Sequence, residues 1–366
     1  MTTTLFYLLA FVLVLSLVVI VHEGGHFIVA RLCGVKVTEF SLGFGKKLFS
    51  KSDKYGTAWQ VRLIPLGGYV KMLGDEDAAS AKSSDKDIPE EDKDKTFASK
   101  SLSRRAAIIF AGPAMNYVFA FVLFVGLFWG LGDVVVKPVI GSVIPDSAAE
   151  AAGLKPQDEI ISINKQKIDS FTDIQRVVLL TDYGKELSFQ IRRGDEELQI
   201  ALTPKMDPTT DHPLIGITAA GETIVVDDDI SFVAACQKSV QIIYQSTRDT
   251  LLYLGQVLTA RRAPKDMRGP LGIAEASGDA MAGGIISLLA FVAQISVAIG
   301  LMNLLPIPLL DGGHLFLYIF EAIRRKPLTE KMQTALMWAG FSILMIVFAY
   351  TMFLDIPRII QRVIGS

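Results

Sequence analysis

Four long apolar runs interrupt an otherwise mixed pattern of hydrophobic and polar positions, at roughly 5–21, 106–131, 285–310 and 336–354. Each has about the 17–25 residues that a helix needs to cross a hydrocarbon core ~30 Å thick. About four transmembrane helices are therefore expected, and the chain reads as a polytopic α-helical membrane protein. Between the runs the period changes. Residues 59–64 alternate apolar and polar as a strand does, and Pro65, Gly67 and Gly68 then turn the chain. Residues 139–143, 187–191 and 198–202 also alternate, and they flank helix-like stretches at 148–153 and 172–181, which predicts a small β-rich domain. Residues 230–258 place Phe232, Cys236, Val240, Ile243, Leu251, Leu254 and Leu258 on one helical face, with Lys238, Gln245 and Arg248 outside the stripe. Such a helix either lies on a membrane surface or docks on the neighbouring domain.

Composition agrees with a membrane protein: 51% of the 366 residues are hydrophobic, and the excess lies in the four runs. The formal net charge of −2 offers no basic surface for nucleic acid. A secretory signal peptide is the rival reading of the first run, but Met1–Thr4 carries no basic side chain and the run ends in ionisable residues. Lys and Arg set the orientation. Arg31, Lys36, Lys46, Lys47 and Lys51 follow the first run, Lys100, Arg104 and Arg105 precede the second, and Arg324, Arg325, Lys326 and Lys331 separate the third from the fourth. All three groups face one side, the cytoplasm, if both termini and the long 132–284 segment face the other. Cys33 and Cys236 then fall on opposite sides, so no disulfide is expected between them.

The ionisable residues that close the first run are His22-Glu23-Gly24-Gly25-His26, an H-E-x-x-H motif. On a helix, positions i and i+4 share a face, so both imidazoles can hold one metal ion. Zn2+ suits neutral histidine, and a catalytic zinc takes three protein ligands and keeps one open position. The glutamate between the histidines can accept a proton from a water whose pKa the metal lowers. Ionisable groups at this depth are costly and usually functional, although side chains at a helix exit can also snorkel to water. For a third ligand, Asp311 is the only carboxylate in the apolar surroundings of the third run, at the same expected depth as His22. It can equally cap a helix after the break at Pro306 and Pro308. The ligand reading is preferred, and His314 ranks below Asp311 for that role.

H-E-x-x-H in a first span, paired with Asn303-Leu304-Leu305-Pro306-Ile307-Pro308-Leu309-Leu310-Asp311-Gly312-Gly313, resembles the site-2 protease family of intramembrane metalloproteases. Ala111-Gly112-Pro113-Ala114-Met115-Asn116 in the second span and the Gly-rich segment around Phe40–Gly45 extend the resemblance over nearly the whole chain. It is strongest to the bacterial branch that governs a sigma-E-type envelope stress response. The resemblance implies that His22, His26 and Asp311 bind zinc, that Glu23 is the general base, and that Asn303 holds substrate or stabilises the oxyanion. It implies that 40–45 and 62–74 form a membrane-reentrant β-loop offering an edge strand to unwound substrate. Residues 143–149, 152–154, 157–161 and 192–195 resemble bacterial PDZ domains, which either capture peptide ends or, here, exclude bulky ectodomains. Relatives often carry two such domains where this chain has length for one. Gly24 stands where the family often has Phe, and Ala298 where close relatives have Asn; both bear on substrate admission rather than on the metal.

The expected organisation is a first span with the H-E-x-x-H motif over 1–33, the cytoplasmic β-loop over 34–75 and a flexible charged linker over 76–103. A second span over 104–132 leads to an inserted periplasmic PDZ (α+β) domain over 133–206, then a linker with the amphipathic helix over 207–283. The third span over 284–314, a cytoplasmic loop over 315–334, the fourth span over 335–356 and a periplasmic tail over 357–366 complete it. Expected partners are the lipid bilayer and single-span membrane proteins, such as a trimmed anti-sigma factor or signal-peptide remnants, cut by regulated intramembrane proteolysis in a bacterial inner membrane. The active site would sit near the cytoplasmic side. The rival is a non-catalytic protein, a PDZ scaffold or a metal transporter. A transporter needs polar residues through its helices, and these spans are nearly bare away from Glu23 and Asp311; a scaffold has no use for Glu23.

Overall fold

A computed structural model of the chain describes residues 2–74, 88–182, 184–206, 213–220, 223–227, 230–261, 264, 267–326 and 329–364. In chain order the elements begin with helix α1 (Thr2–Leu32), strands β1 (Val37–Ser52) and β2 (Ala58–Met72), a 3-10 turn (Glu90–Lys95) and helix α2 (Leu102–Leu131). Strands β3 (Asp133–Val136) and β4 (Ile140–Val143), helix α3 (Ala148–Ala151), strands β5 (Glu159–Ile163) and β6 (Gln166–Lys167) and helix α4 (Phe171–Leu179) follow. Next come β7 (Leu187–Arg193), β8 (Glu196–Leu202), β9 (Lys205–Met206), β10 (Pro213–Leu214), β11 (Ile217–Ala219) and β12 (Thr223–Asp227). The chain ends in helices α5 (Phe232–Leu258), α6 (Pro270–Ala282), α7 (Ile285–Leu304), α8 (Asp311–Arg324) and α9 (Glu330–Ile364). Two units divide it: Met1–Phe124 with Lys265–Ser366, and Val125–Pro264.

Among the described residues four helices are long and apolar enough to cross a membrane, in the order the apolar runs predict: Leu5–Leu32, Leu102–Leu131, Ile285–Leu304 and Lys331–Pro357. At 31 residues, α1 is about 46 Å long. It has apolar residues all round, as a helix surrounded by lipid and protein requires, and Val14 and Val18 pack against Val292 of α7. The third run does not stay helical to its end. Pro306 and Pro308 lack the N–H that continues a helix, so α7 stops at Leu304 and α8 starts afresh at Asp311. Helix α6, within a stretch expected as linker, is held from both sides. Tyr7 of α1 donates to Asp279 at 2.8 Å, and the backbone N–H groups of Gly269 and Gly272 donate at 3.2 and 2.8 Å to Asp355 of α9, which is buried. A carboxylate that accepts the orphan donors of a helix start stabilises that end.

Strands β1 and β2 form a hairpin that folds back on itself. Glu39–Leu42 pairs with Ala58–Val61 on one side and with Gly68–Lys71 on the other, while 47–52 pairs with 58–62. The chain crosses from one side of 39–42 to the other through Pro65, which has no ladder hydrogen to lose. Gly68–Met72 therefore forms an edge, since among the described residues it has only β1 beside it. The hairpin is clamped to the end of α1 by Arg31, which reaches Asp53 at 2.8 Å and Thr57 at 2.9 Å and lies over the rings of Phe27 and Tyr55. Desolvation raises the Asp53 carboxyl, but donors from the Thr57 N–H, Arg31, Trp59 and the Tyr55 N–H outweigh it and hold it at about 2.

The stretch expected as a flexible linker, 76–103, carries structure in its second half. Asp92 in the 3-10 turn is buried and pairs with Lys36 and Lys95 at 2.6 and 2.8 Å, and Phe97 packs beside Val35, Val37 and Ile108. Charge density alone suggested a solvated tract; a partner distant in sequence, Lys36, orders it. Residues 75–87 lie outside the described residues.

The second unit has a four-stranded antiparallel sheet in the order β6-β5-β7-β8. Its core is Ile140, Ile160, Ile163, Leu187, Phe189 and Ile191 against Phe171, Ile174 and Val178 of α4. Each such fully buried side chain contributes about 1.5–3 kcal/mol. The domain is larger than the expected 133–206. Strands β10, β11 and β12, from the stretch expected as linker, return to pair with β9, β4 and β3, and Ile215 joins the core. These strands are two to five residues long, too short for a period to show. Helix α5 follows, tied to the same unit by Lys238–Asp133 at 2.9 Å and by Gln256 donating to the Leu180 carbonyl at 2.7 Å. The helix is thus docked on its own unit, while Phe232, Val240, Tyr244, Leu251 and Leu258 along it remain exposed.

Candidate metal centre

The H-E-x-x-H motif lies in the last third of α1, where helical spacing turns both imidazoles toward α2 and the start of α8. His22 Nε2 and His26 Nε2 are 3.2 Å apart, and Asp311 Oδ2 stands 3.1 Å from the first and 3.5 Å from the second. Both histidines are buried. Among the described residues, His22, His26 and Asp311 form a group that could hold a metal ion, with ligand atoms all within 4.8 Å of one another. His314, weighed in the sequence as a lesser candidate, is not in it.

Three observations test whether this group suits zinc. Tetrahedral ligands with bonds of about 2.0–2.1 Å stand roughly 3.3–3.4 Å from one another, and the separations of 3.1, 3.2 and 3.5 Å bracket that spacing. Asp311 Oδ2 is fully buried yet makes no well-aligned hydrogen bond among the described residues. Such an oxygen wants a positive partner. His26 Nδ1 lies 2.8 Å from the Ile108 carbonyl, which can only accept. The ring proton is therefore on Nδ1, and Nε2 turns a bare lone pair toward the cluster. The group fits.

The competing reading of Asp311 as a helix cap fails on geometry. Asp311 opens α8, but no side chain caps that helix start. Its oxygen is turned to the histidines instead. The preceding loop delivers it there: Leu309 is held at φ 85°, a costly conformation for a bulky residue. Gly312 and Gly313 let the first turn of α8 press against the carbonyls of Leu304, Leu305 and Ile307, which a Cβ at either position would strike.

Glu23 sits between the histidines, within electrostatic reach of His22, His26 and Asp311. The backbone N–H of Val70 is among the groups acting on its carboxylate, and a Cβ on Gly68 would lie 3.2 Å from Glu23 Cγ. The edge of β2 thus passes directly beside this carboxylate. Asn303 is half-buried in the last turn of α7, and among the described residues no hydrogen bond joins it to the cluster. A Cβ on Gly24 would meet nothing within 4 Å, so the position that is Gly here has room for a side chain.

Two contributors carried no role in the sequence reading. Gly112 on α2 faces the histidines, and a Cβ there would overlap His26 Nε2 and come within 2.9 Å of His22 Cε1. Asn116, one turn further on, is fully buried with Nδ2 at 3.3 Å from His22 Nδ1. Both belong to the Gly-Pro-x-x-Asn stretch of the second run, whose signal in sequence was polar and small residues inside an apolar span. Gly112→Ala is expected to cut bound zinc at least about tenfold, because the methyl must displace an imidazole from a close-packed interior. Zinc per chain on the purified variant checks this; a full complement would show that the ring has room to move.

The sequence profile of Peptidase family M50 matches residues 10–347. A candidate zinc metalloprotease of Agrobacterium fabrum is 37% identical over 97% of this chain and 96% of its own length. Another from Rickettsia conorii is 34% identical over 96% and 99% of the two chains, and the metalloprotease MmpA of Caulobacter vibrioides is 33% identical over 97% and 96%. Among solved structures, the PDZ domain of an SdrC-like protein from Listeria monocytogenes is 24% identical over 23% of this chain and 87% of its own, with a TM-score of 0.21. Matched from the first span to the last, the chain belongs to peptidase family M50, the site-2 protease family, and is a zinc metalloprotease with four apolar helices of membrane-spanning length.

Proposed function

We propose that the protein hydrolyses a peptide bond in or near the transmembrane segment of single-span membrane proteins, in a bacterial inner membrane, with His22, His26 and Asp311 as zinc ligands. The observation that carries this reading is the edge of β2 running past Glu23, beside the three-ligand group and among membrane-length helices. Zinc, when bound there, supplies a Lewis acid that polarises a carbonyl and lowers the pKa of water. Glu23 accepts the proton from the attacking water and returns it to the leaving nitrogen. A substrate helix must unwind before its peptide bond is accessible, and Gly68–Met72 can hold the extended form by strand addition. Asn303, at the helix end before the ligand loop, has an amide able to donate to the oxyanion.

The distribution of Lys and Arg supports termini and the β-rich domain on the periplasmic side, with the metal site nearer the cytoplasm. We read the β-rich domain as a PDZ domain on its sequence motifs. The substrate class includes a trimmed anti-sigma factor in an envelope stress response, and signal-peptide remnants.

One assay tests the substrate class and the role of the domain together. Purified protein in liposomes is given one single-span substrate in two forms, with its ectodomain intact and with it trimmed. The full chain is expected to cut the trimmed form and spare the intact one. Deleting 133–227, the whole of the paired strands, is expected to release cleavage of the intact form. Weaker cleavage of the trimmed form would instead assign the domain to capture of new chain ends. Failure to cut either form with the full chain would sink the proposed substrate class.

A further inference from the structure

The second nitrogen of each histidine decides whether the first can bind metal. For His26 the Ile108 carbonyl settles this, since it can only accept. His22 faces an amide instead. Asn116 Nδ2 lies 3.3 Å from His22 Nδ1, and Asn116 Oδ1, fully buried, has no hydrogen-bond partner among the described residues. With the nitrogen end forward, His22 Nδ1 must be the lone-pair nitrogen. The ring proton then sits on Nε2, between His26 Nε2 at 3.2 Å and Asp311 Oδ2 at 3.1 Å. That tautomer cannot ligate through Nε2.

A half-turn of the amide about its Cβ–Cγ bond exchanges its two ends without moving any other heavy atom. Oδ1 then accepts from His22 Nδ1–H, and Nε2 turns a lone pair into the group, matching His26. We propose that Asn116 is the positioning residue for His22: its Oδ1 accepts from Nδ1–H, selects the tautomer that binds zinc through Nε2, and holds the ring plane. The inference rests on the proposed ligand set.

The rest of Asn116 is held for this task. Ser296 of α7 donates to its backbone carbonyl at 2.9 Å. At Gly300, one turn along α7, a Cβ would lie 3.2 Å from Asn116 Cβ and 3.0 Å from the Tyr117 ring, so the two helices are in close contact here. An amide suits the position better than a carboxylate, because Glu23 and Asp311 already bring two buried acids to the site and a third would have to be compensated. Outer partners of this kind typically contribute 10–100-fold in metal affinity.

The test compares Asn116→Leu, near in size without an acceptor, with Asn116→Asp, which keeps the acceptor oxygen and loses the donor. Zinc affinity is measured by chelator competition on the purified full chain, alongside thermal unfolding of the metal-stripped proteins. Asn116→Leu is expected to bind zinc about 10–100-fold more weakly, and Asn116→Asp to recover most of that loss. A direct readout uses 15N-histidine labelling, practical because the chain has four histidines. In the zinc-loaded wild type the His22 signal should show a protonated Nδ1 and a metal-bound Nε2. Wild-type affinity in Asn116→Leu, equal losses in the Leu and Asp variants, or a His22 that binds through Nδ1 would each overturn the proposal. A wild type in which neither His22 nor His26 binds zinc would overturn the ligand set instead, which keeps the two failures apart.

Discussion

Replacing Glu23 by glutamine is expected to lower peptide hydrolysis by about 10²–10⁴-fold while zinc content and folding stay as in the wild type. The magnitude is what a positioned general base typically supplies. Glutamine is nearly isosteric, and its amide keeps one acceptor oxygen beside the edge of β2. It cannot take a proton from water. Because Glu23 is not in the group of His22, His26 and Asp311, the substitution leaves the ligand atoms in place. Single-turnover cleavage of a trimmed substrate, with zinc quantified on the same preparation, separates base from ligand. Turnover within a few-fold of wild type would place the base elsewhere, and loss of zinc would mean that Glu23 holds the metal site together.

Asp311→Ala is expected to reduce bound zinc from about one per chain to a small fraction of that, since catalytic zinc is held by three protein ligands and two imidazoles alone bind weakly. The structure sharpens the test, because the same residue opens α8. If Asp311 were chiefly a cap, the substitution would cost about 0.5–2 kcal/mol of stability and leave zinc alone. No cap hydrogen bond is made, so the metal-stripped variant is expected to unfold close to the wild type. Full zinc retention with a lowered unfolding temperature would reverse the assignment. His22→Ala should match Asp311→Ala in zinc loss, which guards against an effect confined to α8.

The family match removes the scaffold and transporter readings that the sequence left open. Among the described residues, a side chain in place of Gly24 would meet nothing within 4 Å of its Cβ.

The amino-acid sequence by itself determined the parts of this protein that depend on short spacing. Hydrophobic runs of membrane length become helices because a helix satisfies its own backbone, and four such helices appear where the runs lie. H-E-x-x-H puts two imidazoles on one face wherever it is helical, so the pairing of His22 with His26 was legible. Tertiary structure decided whatever joins distant segments. The acceptor for His26 is a backbone carbonyl 82 residues away, which no side chain advertises, and the partner of His22 is 94 residues away on another span. That Asp311 turns one carboxylate oxygen toward the histidines, with no cap hydrogen bond at the start of α8, is likewise a matter of tertiary placement. Strands β10–β12 and helix α6 looked like linker because their order comes from pairing with β9, β4 and β3 and from Tyr7 and Asp355, not from any period of their own. The edge beside Glu23 exists only because a single hairpin crosses from one side of 39–42 to the other. Local pattern reports how a segment can bury its own face; which distant groups meet is settled by packing the whole chain, and at this site those meetings set what surrounds His22, His26 and Asp311.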